Sequence, residues 1–155
     1  MRYRLVQQHI SLEERAVLDQ TETCLGIDLG KKLTGIAISN PENTLAVPLE
    51  VLSTSAYSRL AKKIIEILKG YSASWVVLGL PLNLDGSWSK GCDLVVEFAS
   101  FLTPYPVCLW DERLSTLSVQ HLTISKSKKI DAQAATVILQ HALDRLSYLR
   151  KEKYY

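Results

Sequence analysis

Cysteine is scarce in this chain, and what there is does not cluster. Cys24, Cys92 and Cys108 are an odd number with no CxxC pair, so they offer neither a disulfide framework nor a thiolate metal knuckle. Two of them sit in apolar, strand-like runs, where cysteine serves as a small hydrophobe. Histidine is as sparse: His9, His121 and His141 are scattered along the chain, which removes the usual zinc ligand sets. No apolar run approaches the roughly 18 residues that a membrane helix needs. The longest, Trp75 to Leu82, is interrupted by Gly79 and Pro81. Behind Arg2 and Arg4 lies no apolar signal segment, so the expectation is a cytoplasmic protein without membrane attachment. There is also no internal repeat and no low-complexity tract.

A length of 155 residues points to one domain that can bury a real core. Net charge is only +2, too little to mark a nucleic-acid binder by itself. The placement of the charge is more telling. Lys31 and Lys32 follow Asp28 closely, and Lys126, Lys128 and Lys129 lie just before Asp131. Taken alone, both groups also fit solvated loop lysines.

Residues 1–22 are polar, with weak helical spacing at Leu12, Ala16 and Val17, and read as an N-terminal extension. Residues 23–150 read as the folded domain. It opens with an apolar run from Cys24 to Leu29 and, after a tight Gly30-Lys31-Lys32 link, a second from Thr34 to Ser39, the pattern of an antiparallel hairpin. A third strand is expected over Val47–Leu52, entered after Pro41 and Pro48 break the chain. Tyr57–Lys69 carries one helical stripe, Leu60, Ala61, Ile64 and Leu68, with Gly70 where a C-cap belongs. Trp75–Leu80 is apolar on both faces, as a central buried strand should be. A helix follows over about Lys90–Leu102, then a fifth strand over Val107–Trp110 and a last helix over Asp131–Leu149. Strands linked through helices imply right-handed crossovers and a parallel core. The whole is an α/β fold: a mixed five-stranded sheet with helices on both faces, in the order of a ribonuclease-H-like domain.

Working sites of such sheets lie at the carboxyl ends of the strands, and acids fall there. Asp28 lies inside the first strand's apolar run, where a charge is costly unless it meets a metal or a partner. Asp111 and Glu112 close the fifth strand. Asp131 begins the stripe that continues through Ala135, Ile138 and Ala142, although an N-cap aspartate would explain it as well. Carboxylates gathered from distant parts of the chain suit Mg²⁺ or Mn²⁺, hard cations that take oxygen ligands and keep waters able to attack phosphorus. Two such ions would clamp the attacking and leaving oxygens of an in-line displacement. Alternation puts Val107, Leu109 and Asp111 on one face and Cys108, Trp110 and Glu112 on the other. Without the strand pairing it does not say which acid meets Asp28. Glu112 is favoured, because its longer arm reaches across from a strand end, with Asp111 or Arg113 holding the loop.

Four motifs, in order, resemble the YqgF family, also called RuvX, of Holliday-junction-resolvase-like proteins described as pre-16S rRNA nucleases. They are Gly26-Ile27-Asp28-Leu29-Gly30-Lys31-Lys32 with Gly35-Ile36-Ala37; Gly79-Leu80-Pro81-Leu82-Asn83-Leu84-Asp85-Gly86; Asp111-Glu112-Arg113-Leu114-Ser115-Thr116; and Lys128-Lys129-Ile130-Asp131 with Ala134-Ala135 and Ile138-Leu139-Gln140. The likeness spans about residues 23 to 145. It implies a metal-dependent hydrolase, an endonuclease of the two-metal type, acting in rRNA processing and ribosome biogenesis, with precursor particles as partners. Carried over by position, Asp28, Asp111, Glu112 and Asp131 become the expected metal ligands. Of these, Asp28, Glu112 and Asp131 would be catalytic. Lys31, Lys32, Asn83, Arg113, Lys126, Lys128 and Lys129 would contact nucleic acid, RNA in preference to DNA. The fourth strand carries no acid, unlike that of the junction resolvases; Asp85 is the nearest substitute. Lys31 stands where many members have threonine, and the stretch from Thr116 to Lys128 is shorter than usual.

Other readings compete. The run from Gly26 to Gly30 also resembles the first phosphate loop of actin-like ATPases, but that fold needs a second matching half. A resolvase-like DNA endonuclease would use the same acids. A nucleic-acid-binding or assembly protein without catalysis would use the shape alone.

Overall fold

The computed structural model describes residues 10–17, 22–114 and 129–152, with side chains described throughout except at 17, 114 and 129–131. Its elements are α1 (Leu12–Val17), β1 (Cys24–Asp28), β2 (Leu33–Ser39), β3 (Ala46–Ser53), α2 (Tyr57–Gly70), β4 (Trp75–Leu80), α3 (Lys90–Ser100), β5 (Val107–Asp111), a 3₁₀ turn (Glu112–Leu114) and α4 (Lys129–Glu152).

The five strands form one sheet in the order β3-β2-β1-β4-β5. β1 pairs antiparallel with β2 and parallel with β4, and β4 pairs parallel with β5. The expected mixed five-stranded sheet with helices on both faces is therefore what forms. β4 is buried at every position, as its doubly apolar pattern requires.

Strand alternation divides the core in two. Leu25, Ile27, Val76, Leu78 and Val107 face α2 and α3, packing on Leu60, Ile64, Leu68, Val95 and Phe98. Cys24, Trp75, Val77 and Cys108 face α4, packing on Ala135, Leu139, Ala142 and Leu146. The three cysteines are free and buried; burial pushes the Cys24 and Cys108 thiols up, away from the reactive thiolate.

Gly26 sets how closely α4 approaches β1. A Cβ there would lie 2.6 Å from Leu139 Cβ and 3.0 Å from the Ala135 carbonyl oxygen, so only hydrogen fits. Gly26→Ala must push the helix off the sheet, and overpacking of this kind costs about 1–3 kcal/mol. Urea unfolding should show that loss; an unchanged midpoint would mean the helix is free to shift. Further along, Arg150 Nη1 reaches Asn43 Oδ1 at 3.4 Å, and Asn43 in turn donates to the Glu22 carbonyl. Helix α4 thus runs antiparallel to β1, and its first turn lies at the carboxyl end of that strand.

Three local details differ from expectation. Helix α2 has Gly70 as its last residue and not as its cap. Its end is a Schellman closure with Ser72 in the left-handed region (φ 53°), Ala73 N–H bonding to the Leu68 carbonyl and Ser72 N–H to Lys69. Pro48 lies inside β3 instead of breaking the chain before it. It sits opposite Ala37 beside a register shift, on the outermost strand, where a missing N–H is tolerated. Finally, residues 10–17 are packed. Leu12 and Ala16 are buried against the α4 core, Ile10 N–H bonds to the Val107 carbonyl on the outermost strand β5, and the Arg15 guanidinium lies 4.8 Å over Trp75 while pairing with Glu22 at 3.2 Å. Leu12 and Ala16 are two of the three positions whose spacing hints at a helix; burial of that stripe is what makes so short a helix hold.

Candidate active site

The register of the sheet answers what alternation alone left open. Ile27 pairs with Leu78 and Gly79 pairs with Trp110, so the carboxyl ends of β1, β4 and β5 are level. Asp28 shares the α4 face with Cys24 and Gly26, Gly79 with Trp75 and Val77, and Glu112 with Cys108 and Trp110. Asp111 points to the other face, with Val107 and Leu109.

Glu112 follows β5 and Asp28 ends β1, with β4 between them. The glutamate arm crosses β4 at Gly79. A Cβ on Gly79 would collide with Glu112 Oε1 and lie 2.9 Å from its Cγ and 3.0 Å from its Cδ. At the far side the Glu112 carboxyl meets that of Asp28 and hydrogen-bonds to it. Such a bond between two acids needs a shared proton. Burial, then the Asp28 charge and that bond, then the Asp111 charge, push the Glu112 carboxyl up to about 8. Two carboxyls forced together in a partly dry site are an unfavourable arrangement until a cation or a proton joins them.

Asp111, expected among the metal ligands, is occupied elsewhere. Its Oδ1 accepts from Arg113 N–H and Nε, both at 3.0 Å, and its Oδ2 from Arg113 Nη2 at 2.6 Å. Burial alone would raise this carboxyl, but the fork and charge of Arg113 outweigh it and hold it below the usual range. The strand alternation is the physical reason that one neighbour reaches Asp28 and the other does not. Arg113, expected on nucleic acid, uses its fork on Asp111, and its Nη1 donates to the Leu84 carbonyl at 3.2 Å. It thereby ties the loop after β4 to the end of β5.

Within that loop Asn83 donates to Ser87 Oγ at 2.9 Å, and Asp85 accepts the Ser87 N–H at 2.9 Å. Asp85 is exposed, and the acids that raise Glu112 are Asp28 and Asp111. Lys31 and Lys32 are exposed in the β1–β2 turn, next to Asp28 along the chain. Asp131 is in the first turn of α4, at the carboxyl end of β1, with its side chain outside the description; so is that of Lys129. Lys126, Lys128, Ser115 and Thr116 lie outside the described residues. Among the described residues no three His, Cys, Asp or Glu side chains form a metal cage; the Asp28–Glu112 pair is what the description contains.

Sequence reasoning gave Gly79 no role. The available signal was a glycine inside an otherwise apolar central strand, which often marks a close approach by another group.

A mixed sheet in this order, with an acid pair at its carboxyl edge, defines a nuclease domain of the ribonuclease-H-like class. A family model described as "RuvX: Holliday junction resolvase" matches residues 22–145, and the chain belongs to that family. A relative from Rhodopseudomonas palustris (strain BisB5), named "Putative pre-16S rRNA nuclease", is 42% identical over 137 residues, covering 82% of this chain and 86% of its own. One of the same name from Ruegeria sp. (strain TM1040) is 34% identical, covering 87% and 92%. Among solved structures, Thermus thermophilus RuvC in complex with Holliday junction substrate shares the fold at 17% identity, with a TM-score of 0.53 over 80% of this chain and 94% of that one. No helix among the described residues is long and apolar enough to cross a membrane.

Proposed function

We propose that this protein is a metal-dependent endonuclease of the bacterial cytoplasm that trims the 5′ end of the 16S rRNA precursor, alone or within precursor particles. The observation that carries this reading is the Glu112 carboxyl laid across Gly79 onto Asp28. A fold that only binds nucleic acid has no use for two acids pressed together at its sheet edge.

The donor set suits Mg²⁺ or Mn²⁺: oxygen only, with acids from separate strands. Asp28 and Glu112 would hold the ion, with Asp131 as the third ligand at the start of α4. Once bound, the metal supplies an activated water and charge neutralisation at phosphorus, and a second ion would complete an in-line clamp. The residues do the remaining work. Gly79 leaves the path by which Glu112 reaches Asp28, and Arg113 draws Asp111 away while fixing the loop from Leu82 to Trp88. Lys31, Lys32, Lys126, Lys128 and Lys129, with Asn83, would neutralise and position the phosphates flanking the cut. RNA is preferred over DNA on the names of the relatives. The RuvX description supports a second reading, cleavage of four-way DNA.

The test is to incubate pure protein with labelled precursor-flank RNA, duplexes and four-way junctions, with and without Mn²⁺. Metal-dependent cutting of the RNA is expected. Faster cutting of junctions than of any RNA would favour the second reading, and binding without cutting would remove catalysis.

Metal and proton compete for the acid pair, and stability should report it. Glu112 holds its proton in the folded state to about pH 8 but loses it near 4.5 when unfolded. Between those values the folded state binds more protons, so the metal-free protein loses stability as pH rises. Added Mn²⁺ should reverse the trend, giving a larger rise in Tm at pH 8 than at pH 6. An equal rise at both would place the metal elsewhere.

A further inference from the structure

The α2–α3 face of the sheet has a recess of about 500 Å³ at the same carboxyl edge, across the sheet from the acid pair. Its walls come from four places that the chain brings together. Leu29 and Lys31 follow Asp28; Ser55 precedes α2 and Tyr57 opens it; Pro81 follows β4; Leu94 and Val95 come from the first turns of α3. The walls are firmly set. Thr54 N–H bonds to the Lys32 carbonyl at 2.8 Å, and Thr54 Oγ1 bonds to the Gly30 carbonyl at 2.8 Å and to Thr34 Oγ1 at 2.7 Å, tying the β1–β2 turn to the link before α2. The Tyr57 ring stands edge-on to Phe98 at 5.4 Å and to Phe101 at 6.5 Å.

The lining has a definite chemistry. Leu29, Leu94 and Val95 give apolar walls, the aromatic ring of Tyr57 borders them, Ser55 offers a hydroxyl and Lys31 a cation at the rim. Leu94 is 43% exposed there, a large apolar side chain left open beside a charged site. A phosphate alone would use only Lys31. An unpaired nucleotide would use all of it: the base against the apolar and aromatic walls, the phosphate against the lysine.

The position gives the nucleotide its place in the strand. Leu29 is the residue after Asp28 and, by strand alternation, its side chain turns to the opposite face, so the recess and the acid pair meet across the carboxyl edge of the sheet. We propose that this recess takes the base of the nucleotide adjoining the scissile phosphate, turned out of the strand, so that an unpaired base beside the cut is a requirement of the substrate. This rests on the nuclease reading.

Two measurements separate the failure of one from the failure of the other. The first uses single-stranded RNA of the precursor flank carrying 2-aminopurine at each position in turn, bound in EDTA so that no cutting occurs. One position should change fluorescence on binding wild type, and the change should vanish with Leu94→Ala and weaken with Ser55→Ala. Neither residue touches the acid pair, and both are exposed enough to be replaced without loss of the fold. The second measures kcat/KM with Mn²⁺ on RNA made abasic at each position. Wild type should lose about tenfold at the position beside the cut, and Leu94→Ala should lose little more there, since the base it would contact is already gone. A position-specific signal without any cleavage would keep the recess and end the nuclease reading. Cleavage with no preferred position, a preference that survives Leu94→Ala, or no binding at all would overturn the recess.

Discussion

Asp28→Asn and Glu112→Gln should each lower metal-dependent cleavage about a thousandfold while leaving the fold intact. Each swap keeps shape and removes the charge that a metal requires. A bound ion contributes several kcal/mol to the transition state, and each 1.36 kcal/mol is tenfold in rate. The two carboxyls share one site, so the double variant should be little worse than either single one. Folding should survive, and in metal-free buffer it should improve slightly, because both changes relieve the contact that raises Glu112. Asp111→Asn should behave differently. It loosens the hold of Arg113 on the loop and should cost activity modestly, without changing the amount of metal bound. Wild-type cutting by Asp28→Asn would remove the site assignment, and equal losses from Asp111→Asn and Glu112→Gln would remove the division of roles between the two neighbours.

Gly79→Ala should be nearly as damaging, though Gly79 is neither an acid nor a ligand. The added methyl would occupy the path of the Glu112 side chain, within 3.0 Å of Cγ and Cδ. What it displaces is the far part of a flexible side chain and not backbone, so the protein should stay folded with a Tm close to wild type. The displaced carboxyl no longer reaches Asp28, so metal affinity and cleavage should fall together, by about a hundredfold or more on the scale of one lost ligand contact. Folded Gly79→Ala with wild-type activity would mean that Glu112 reaches the metal by another route, or does not reach it.

The sheet was legible in the sequence because its signals are local and redundant. Alternation in the strands, the Leu60–Leu68 stripe and the doubly apolar Trp75–Leu80 run all demand the same architecture. What the sequence withheld was long-range. Whether Asp111 or Glu112 meets Asp28 depends on the register of three strands, Ile27 with Leu78 and Gly79 with Trp110, and one residue of slip would reverse the answer. The role of Gly79 is invisible for the same reason, since a glycine does not announce which side chain lies across it. The helical signal in residues 10–17 is weak because six helical residues carry too little periodicity. Their hold comes from partners far along the chain, Trp75, Val107 and the α4 core. The left-handed position that closes α2 falls at Ser72 and not at Gly70, because the closure is set by the N–H groups of Ser72 and Ala73 donating to the Lys69 and Leu68 carbonyls, and a non-glycine residue can take that conformation at a modest cost.

The central claim is that Asp28 and Glu112 seat a catalytic divalent ion. The most direct measurement is a titration of the pure protein with Mn²⁺ at pH 8, following free Mn²⁺ by its electron paramagnetic resonance signal, for wild type and Glu112→Gln. The account predicts that wild type removes Mn²⁺ from solution and that Glu112→Gln, folded, leaves it free. Equal uptake by the two proteins, or none by wild type, would contradict it.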